Sequence, residues 1–321
     1  MSGRAAARLK SLARKRPLRA CQARAHCAHS QAPPPAPWKA SAVGSASCVP
    51  AGHLPDSAPL DAVPSRVLTL AALPILDDNY VWLLSAADGS AIVVDPGEAA
   101  PVLRAQAAGL DIRAILVTHH HADHVGGVAQ LQARLNLPCF APDDARIPGE
   151  LSVVRDGEAL AIAGWNAPVE VIATPGHTRS HLSYVCAGHL FCGDTLFSLG
   201  CGRLFEGSPE QMHASLQRLA SLPGDTLVCC THEYSASNAR FARTVDPHNP
   251  ALRAREQAIA EARTAGQPSL PISLASELAC NPFLRVDRPE IRAAAEAWCG
   301  RELPLPAQVF GALRAWKDGF R

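Results

Sequence analysis

Seven residues, Thr118-His119-His120-His121-Ala122-Asp123-His124, constrain this chain more than any other stretch, because they crowd four imidazoles and a carboxylate into two turns' worth of backbone. Ala114-Ile115-Leu116-Val117 before them is short and apolar and reads as a buried strand, and Val125-Gly126-Gly127 after them opens an amphipathic helical pattern. A loop that leaves a strand's C-terminal end and enters a helix is where open α/β sheets carry their sites. His119 and His121 are two apart, so on extended backbone they point the same way. Asp123 and His124 fall past the bend and can face a second position. One tetrahedral Zn²⁺ is filled by three or four ligands, so the surplus suggests two adjacent metals. His120, out of phase with its neighbours, is expected to pack rather than ligate.

The same arrangement recurs downstream. Val169–Ala173 is strand-like and ends at Thr174-Pro175-Gly176-His177-Thr178, Leu190–Gly193 ends at Asp194, and Thr226–Thr231 ends at His232. Four strand ends in succession therefore deliver a His or an Asp. Val67–Ala71, Tyr80–Ser85 and Ala91–Asp95 read as strands, with Asp88-Gly89 as a hairpin turn. Ala99–Ala108 reads as a helix, Ile112–Thr118 as a strand and Val125–Leu135 as a helix. A second strand set follows from about Glu158 to Cys192, and then a helix over Glu210–Ser221. Two β-rich halves with helices outside predict an α/β fold, a four-layer αββα sandwich. Past Tyr234 the character changes. Helices are expected over Ser237–Thr244, Ala251–Ala265, Arg288–Cys299 and Pro306–Lys317 with no strand alternation, which makes a small all-helical C-terminal domain. The division is 1–63 as an N-terminal extension, 64–235 as the catalytic domain and 236–321 as the helical substrate-binding domain.

Composition excludes several classes. The chain has 321 residues, 48% of them apolar, and a formal net charge of +1. The core is large enough for such a sandwich, and nothing in the charge balance calls for nucleic acid or a membrane surface. Apolar runs such as Ile112–Val117 break long before the roughly 20 residues of a membrane span. Eleven cysteines without a C-x-x-C pair suit reduced, buried thiols rather than a disulfide framework. The first sixty residues contain no Asp or Glu before Asp56 and are rich in Arg, Ala and Pro, so they are expected to be disordered. They read as a misplaced-start extension on a cytoplasmic protein or, alternatively, as a mitochondrial transit peptide. His26, His29 and His53 lie there and are not expected to be ligands.

The T-H-x-H-x-D-H run with its later His, Asp and His resembles the metallo-β-lactamase superfamily. More narrowly, Asp78-Asn79-Tyr80-Val81-Trp82, Val94-Asp95-Pro96-Gly97, Gly193–Phe197, Gly200–Gly207, Thr231–Tyr234, Asn281–Arg285 and the tail Leu313–Asp318 resemble the glyoxalase II (hydroxyacylglutathione hydrolase) family, from about Val67 to the C-terminus. The resemblance implies that His119, His121 and His177 hold one metal, Asp123, His124 and His232 a second, and that Asp194 bridges them. The cofactors are then two divalent ions, Zn first, with Fe or Mn possible. Two cations about 3.5–4 Å apart need an anionic bridge, and a shared water there yields a hydroxide that attacks a carbonyl; Asp194 and Asp123 are the catalytic carboxylates. The implied reaction is hydrolysis of S-(2-hydroxyacyl)glutathione, S-D-lactoylglutathione in particular, to glutathione and a 2-hydroxy acid such as D-lactate, the last step of methylglyoxal detoxification. The partner is a small-molecule glutathione thioester, with neither nucleic acid nor membrane, and a monomer is expected.

Arg203, Tyr234, Arg314 and Lys317 are the implied glutathione contacts, the last two sharing one face of a helix. His181 and Asp95 are candidates for orienting ligands, while His189, His213 and His248 have no ligand context. One departure stands out. The family pattern reads Lys, Phe and Tyr where this chain has Arg203, Leu204 and Phe205, so the charge is kept and a hydroxyl is lost. A binuclear hydrolase of lactams, lactones or phosphodiesters, a mono-iron persulfide dioxygenase and a non-catalytic metal or redox sensor are the competing readings.

Overall fold

The structure is a computed structural model, and it describes residues 68–320. The expected 1–63 extension, with His26, His29 and His53, lies outside the described residues.

Two six-stranded sheets face each other. The first contains β1 (Leu68–Ile75), β2 (Asn79–Ala86), β3 (Ser90–Val94), β4 (Asp111–Leu116), β5 (Cys139–Ala141) and β6 (Leu151–Val153), in chain order. Its first three strands are antiparallel and the rest add in parallel. The second is built from β7 (Ala159–Leu160), β8 (Val169–Ala173), β9 (Leu182–Cys186), β10 (His189–Gly193) and β13 (Leu227–Cys230). Between β10 and β13 lie a small hairpin, β11 (Leu196–Phe197) with β12 (Gly200–Cys201), and the helix α4 (Pro209–Ala220).

The near-continuous apolar strands reflect burial on both faces. In β2, Tyr80, Trp82 and Leu84 join the core between the sheets, while Val81 and Leu83 join the core under the outer helices. Those helices are α1 (Ala99–Ala107), α2 (Ala122–Val125) and α3 (Val128–Leu135), and α1 and α3 contribute Val102 and Leu131 to that outer core. Two buried side chains tie strands together across the interior: Trp82 Nε1 donates to Cys230 O at 3.1 Å and Tyr184 Oη to Val117 O at 2.8 Å. The strand ends that carry the His and Asp residues are thereby held together.

After the sandwich come α5 (Ser235–Val245), α6 (Pro250–Thr264), α7 (Leu274–Cys280), α8 (Pro289–Cys299) and α9 (Pro306–Gly319). Four of these match the expected helices to within a few residues. Three details differ from the sequence reading. The helix expected over Val125–Leu135 is two pieces, because Gly126 and Gly127 lie against the Pro96–Ala99 backbone; a Cβ on Gly127 would come within 2.6 Å of Pro96 O. The short α7 carried too few residues to show a period. A two-residue strand, β14 (Ile272–Ser273), pairs antiparallel with β13 and extends the second sheet, so the helical region does contribute a strand. No helix among the described residues is long and apolar enough to cross a membrane.

Candidate metal centre and adjoining cavity

The loops after β4, β8, β10 and β13 converge on one point. His119 Nε2 and His177 Nε2 each lie 3.0 Å from His121 Nδ1. Beside them, His232 Nε2 is 3.3 Å from Asp123 Oδ2, and His124 Nε2 is 3.5 Å from that same oxygen. Asp194 spans the two groups: its Oδ2 is 3.4 Å from His177 Nε2, and its Oδ1 is 3.3 Å from His124 Nε2 and 3.4 Å from His232 Nε2. All seven residues expected to ligate are therefore brought together.

Hydrogen bonds behind the rings fix which nitrogen faces the centre. Thr118 Oγ1 donates to Asp95 Oδ2 at 2.7 Å, so His119 Nδ1–H donates to Thr118 Oγ1 at 3.0 Å. His124 Nδ1–H donates to Asp95 Oδ2 at 3.0 Å, His177 Nδ1–H to Arg203 O at 2.9 Å, and His232 Nδ1–H to Asp78 Oδ1 at 2.8 Å. With Nδ1 donating outward, each of these four rings turns its Nε2 inward, the nitrogen that metal-binding histidines so held present. Asp95 adopts a left-handed φ of 50° to serve Thr118 and His124 at once. His181 stacks on His119 at 4.9 Å, and its Nε2 accepts the Asp194 backbone N–H at 3.2 Å. His181 and Asp95 thus hold residues of this cluster in place.

Among the described residues, the buried His124 Nε2 and Asp194 Oδ1, 3.3 Å apart, have no well-formed hydrogen bond, which is costly for polar atoms out of water unless something else satisfies them. The two halves differ electrostatically. Burial, reinforced by neighbouring histidines, holds His119 well below the usual imidazole range and His121 down at about 4. Burial also lowers His177. At His124 and His232 burial opposes the charge, but Asp194 outweighs it, with Asp95 at His124 and Asp123 at His232, and pushes them up to about 10 and about 11. Burial would raise Asp123 and Asp194; the imidazoles of His232 and His124 instead hold both far down. One half presents neutral nitrogen donors, and the other a carboxylate pair that attracts positive charge. Clusters with ligand atoms within 4.8 Å of one another form around both. Nitrogen and carboxylate donors in this arrangement fit divalent metals.

A cavity of about 520 Å³ opens beside His177 and Asp194, and Arg203, Tyr234, Arg314 and Lys317 all line it. Tyr234 stacks on the His232 ring, centroids 4.6 Å apart and planes within 6°. Lys317 Nζ lies 3.4 Å from Ser237 Oγ, and burial and nearby arginines lower its pKa. Arg314 is almost fully buried and already engaged, donating to Cys201 O at 2.7 Å and pairing with Asp318 at 2.9 Å. Its guanidinium therefore braces the cavity wall.

Comparison with known proteins decides the family. Residues 75–232 match the model of the metallo-β-lactamase superfamily, and residues 233–320 match that of the hydroxyacylglutathione hydrolase C-terminus. A protein of Xanthomonas euvesicatoria pv. vesicatoria named hydroxyacylglutathione hydrolase is 57% identical over 256 residues, covering 79% of this chain and all of that protein. One of the same name from Xylella fastidiosa is 54% identical over 254 residues, covering 79% of this chain and 98% of that protein. The chain belongs to the hydroxyacylglutathione hydrolase family.

Among solved structures, ETHE1 from Myxococcus xanthus shares 25% identity at a TM-score of 0.52, over 77% of this chain and 97% of that one. The BLEG-1 B3 metallo-β-lactamase shares the fold at 22% identity and a TM-score of 0.50, over 68% and 99%. In this chain Phe205 stands 62% exposed, edge-on to His121 and His177 at 5.6 and 5.2 Å. It covers the histidine cluster with a ring and offers no hydroxyl. His120 turns away from the centre, with Nδ1 3.4 Å from Asp144 Oδ2. His213 is half-buried beside Phe310 rather than a surface residue. Asp78 and Asn79 were missed as site residues. Asn79 Nδ2 donates to Asp123 Oδ2 at 2.9 Å, and the sole sequence signal was their place in a family-like segment at the start of β2.

Proposed function

We propose that this chain is a metal-dependent thioester hydrolase that converts S-(2-hydroxyacyl)glutathione, with S-D-lactoylglutathione as its substrate, to glutathione and D-lactate. The observation that carries this reading is the convergence of seven His and Asp side chains on one edge of a cation-lined cavity. His119, His121 and His177 would hold one divalent ion and Asp123, His124 and His232 a second, with the Asp194 carboxylate available to both groups. Zn²⁺ suits these donors best, and Fe and Mn²⁺ accept the same set. When bound, the ions supply Lewis acidity for a carbonyl oxygen and lower the pKa of water.

The chain's own groups do the rest. Asp194, ionised and fixed by the His181-bound backbone, keeps the two ligand groups in register. Asp123, one-third exposed on its side chain and held by Asn79, would accept a hydrogen bond from the attacking water. Lys317 and Arg203 attract the carboxylates of glutathione, and Tyr234 donates its hydroxyl, kept protonated by burial and nearby carboxylates. Arg314 shapes that cavity by gripping Cys201 O. A thiolate leaves readily, so no separate proton donor is required. We divide the chain into 64–235, which carries the chemistry, and 236–321, which recognises glutathione, and place it in the cytoplasm as a monomer.

Chelation tests the reading. Purified protein should hydrolyse S-D-lactoylglutathione, lose that activity on exhaustive treatment with a chelator, and regain it with Zn²⁺. Turnover that survives removal of all metal would contradict it.

A further inference from the structure

The segment Asn281-Pro282-Phe283 has no part in the chemistry above, yet Asn281 has no exposed surface and lies against the cavity wall. That wall is the β11–β12 hairpin. Its turn, Phe197–Gly200, places Leu199 at a left-handed φ of 59°, a conformation a leucine adopts only when its surroundings impose it. Side chains from the helical region supply that constraint. Asn281 Nδ2 lies 3.1 Å from Phe197 O and 3.0 Å from Gly200 O. Glu277, also without exposed surface, accepts the Leu199 N–H at 2.8 Å, the Ser198 hydroxyl at 2.9 Å and Asn281 Nδ2 at 3.0 Å. Asn238 Nδ2 donates to Ser198 O at 3.0 Å and Arg255 to the Ser198 hydroxyl at 3.0 Å.

The hairpin touches both halves of the site. Phe197 sits edge-on to His232 at 5.8 Å and to Tyr234 at 5.3 Å. Cys201 O is the acceptor that fixes Arg314. Just beyond, Gly202 presses so closely on Asp194 that a Cβ there would lie 1.9 Å from Asp194 O. A shift of this turn therefore moves a metal-side ring and a glutathione-side cation together.

We propose that Glu277 and Asn281 are positioning residues that clamp the Phe197–Cys201 turn, so that the helical region sets the geometry of the wall shared by the His232 side of the centre and the thioester cavity. The inference rests on the hydrolase reading and extends it, because α7 becomes part of the site without touching substrate. Glu277→Gln can keep most of the clamp: its carbonyl replaces one carboxylate oxygen, and its amide can donate to the Ser198 hydroxyl, which can also accept. Glu277→Leu takes away the acceptor of the Leu199 N–H and of the Ser198 hydroxyl in the interior, while Asn281 Nδ2 keeps Phe197 O and Gly200 O.

The experiment measures kcat and KM for S-D-lactoylglutathione and for a small neutral thioester, together with metal content and Tm, each well below the variant's own Tm. Glu277→Leu should raise KM for the glutathione thioester about tenfold with metal content retained. Glu277→Gln should recover most of that loss, and Ser198→Ala, which removes one hydroxyl, should raise KM about threefold. Lower Tm with KM and kcat for both substrates at wild-type values would overturn the clamp, since a merely structural role predicts that pattern. If Glu277→Leu does not fold, Ser198→Ala decides on the same criterion. A wild-type chain that fails to hydrolyse the thioester sinks the hydrolase reading itself, whereas an active wild type with unmoved variants sinks the clamp alone.

Discussion

The ligand loops of the sandwich and the helices that follow serve the same cavity by different physical means. The loops after β4, β8, β10 and β13 each present a side chain within a few residues of a strand end, and hydrogen bonds from Asp95, Thr118, Arg203 O, His181 and Asp78 lock these residues in place. The helical region reaches the cavity with long side chains: Lys317 approaches Ser237, 80 residues away, and Arg314 grips the Cys201 carbonyl, 113 away. On the function proposed above, chemistry that depends on ångström placement sits on rigid strand ends, and the helical region adds Lys317 to the recognition of glutathione. Variants in the first region should therefore affect every substrate alike, and variants in the second should discriminate by glutathione.

The largest effect belongs to the first region. Asp194→Asn removes the charge both ligand groups share, and turnover of any thioester should fall by about 10³-fold or more, with circular dichroism unchanged; retained hydrolysis would remove Asp194 from the bridging role. Asp78→Ala takes away only the acceptor behind His232. It should weaken one metal equivalent by about 10–100-fold while leaving the other, read by metal analysis after graded chelation.

A pH series sharpens the contrast inside the centre. His124 and His232 have folded pKa values raised to about 10 and about 11. In metal-free protein their protons therefore contribute stability fully below the ordinary imidazole pKa of about 6.5, and that contribution fades as pH rises through 10 to 11. A cation entering there must displace those protons, so its apparent affinity should climb steadily between pH 6.5 and 8.5. The group around His121, held at about 4, should show an almost flat affinity over the same window. Two parallel slopes would contradict the assignment of protons to one half.

In the second region, charge reversal at Lys317 should raise KM for S-D-lactoylglutathione about tenfold and leave a small neutral thioester nearly untouched. Equal effects would deny the helix its glutathione role. The smallest change expected is a gain: Phe205→Tyr restores a hydroxyl over the cavity and should lower KM severalfold, about 1 kcal/mol of binding.

The same division governs what could be read from sequence. The His and Asp residues were legible because each follows a short apolar run, and a two-residue spacing such as His119–His121 has one geometric meaning on extended backbone. Asp78 was not legible as the partner of His232, since 154 residues separate them and a turn aspartate looks like any other. Arg314 is expected from the resemblance as a glutathione contact; helical spacing reports that it shares a face with Lys317, and not that Cys201 O and Asp318 already engage its guanidinium. β14 and α7 escaped because two and seven residues are too few to display a period. The split of the helix at Gly126 and Gly127 came from close backbone approach, which a sequence pattern does not register.

The central claim is best tested by one parallel assay on a single purified sample: S-D-lactoylglutathione, a penicillin-type lactam and bis-p-nitrophenyl phosphate, with metal equivalents counted alongside. Fast, chelator-sensitive loss of the thioester alone, from protein holding two divalent ions, is the predicted result. Two bound ions without thioester turnover, or a lactam or phosphodiester cleaved faster than the thioester, would contradict it.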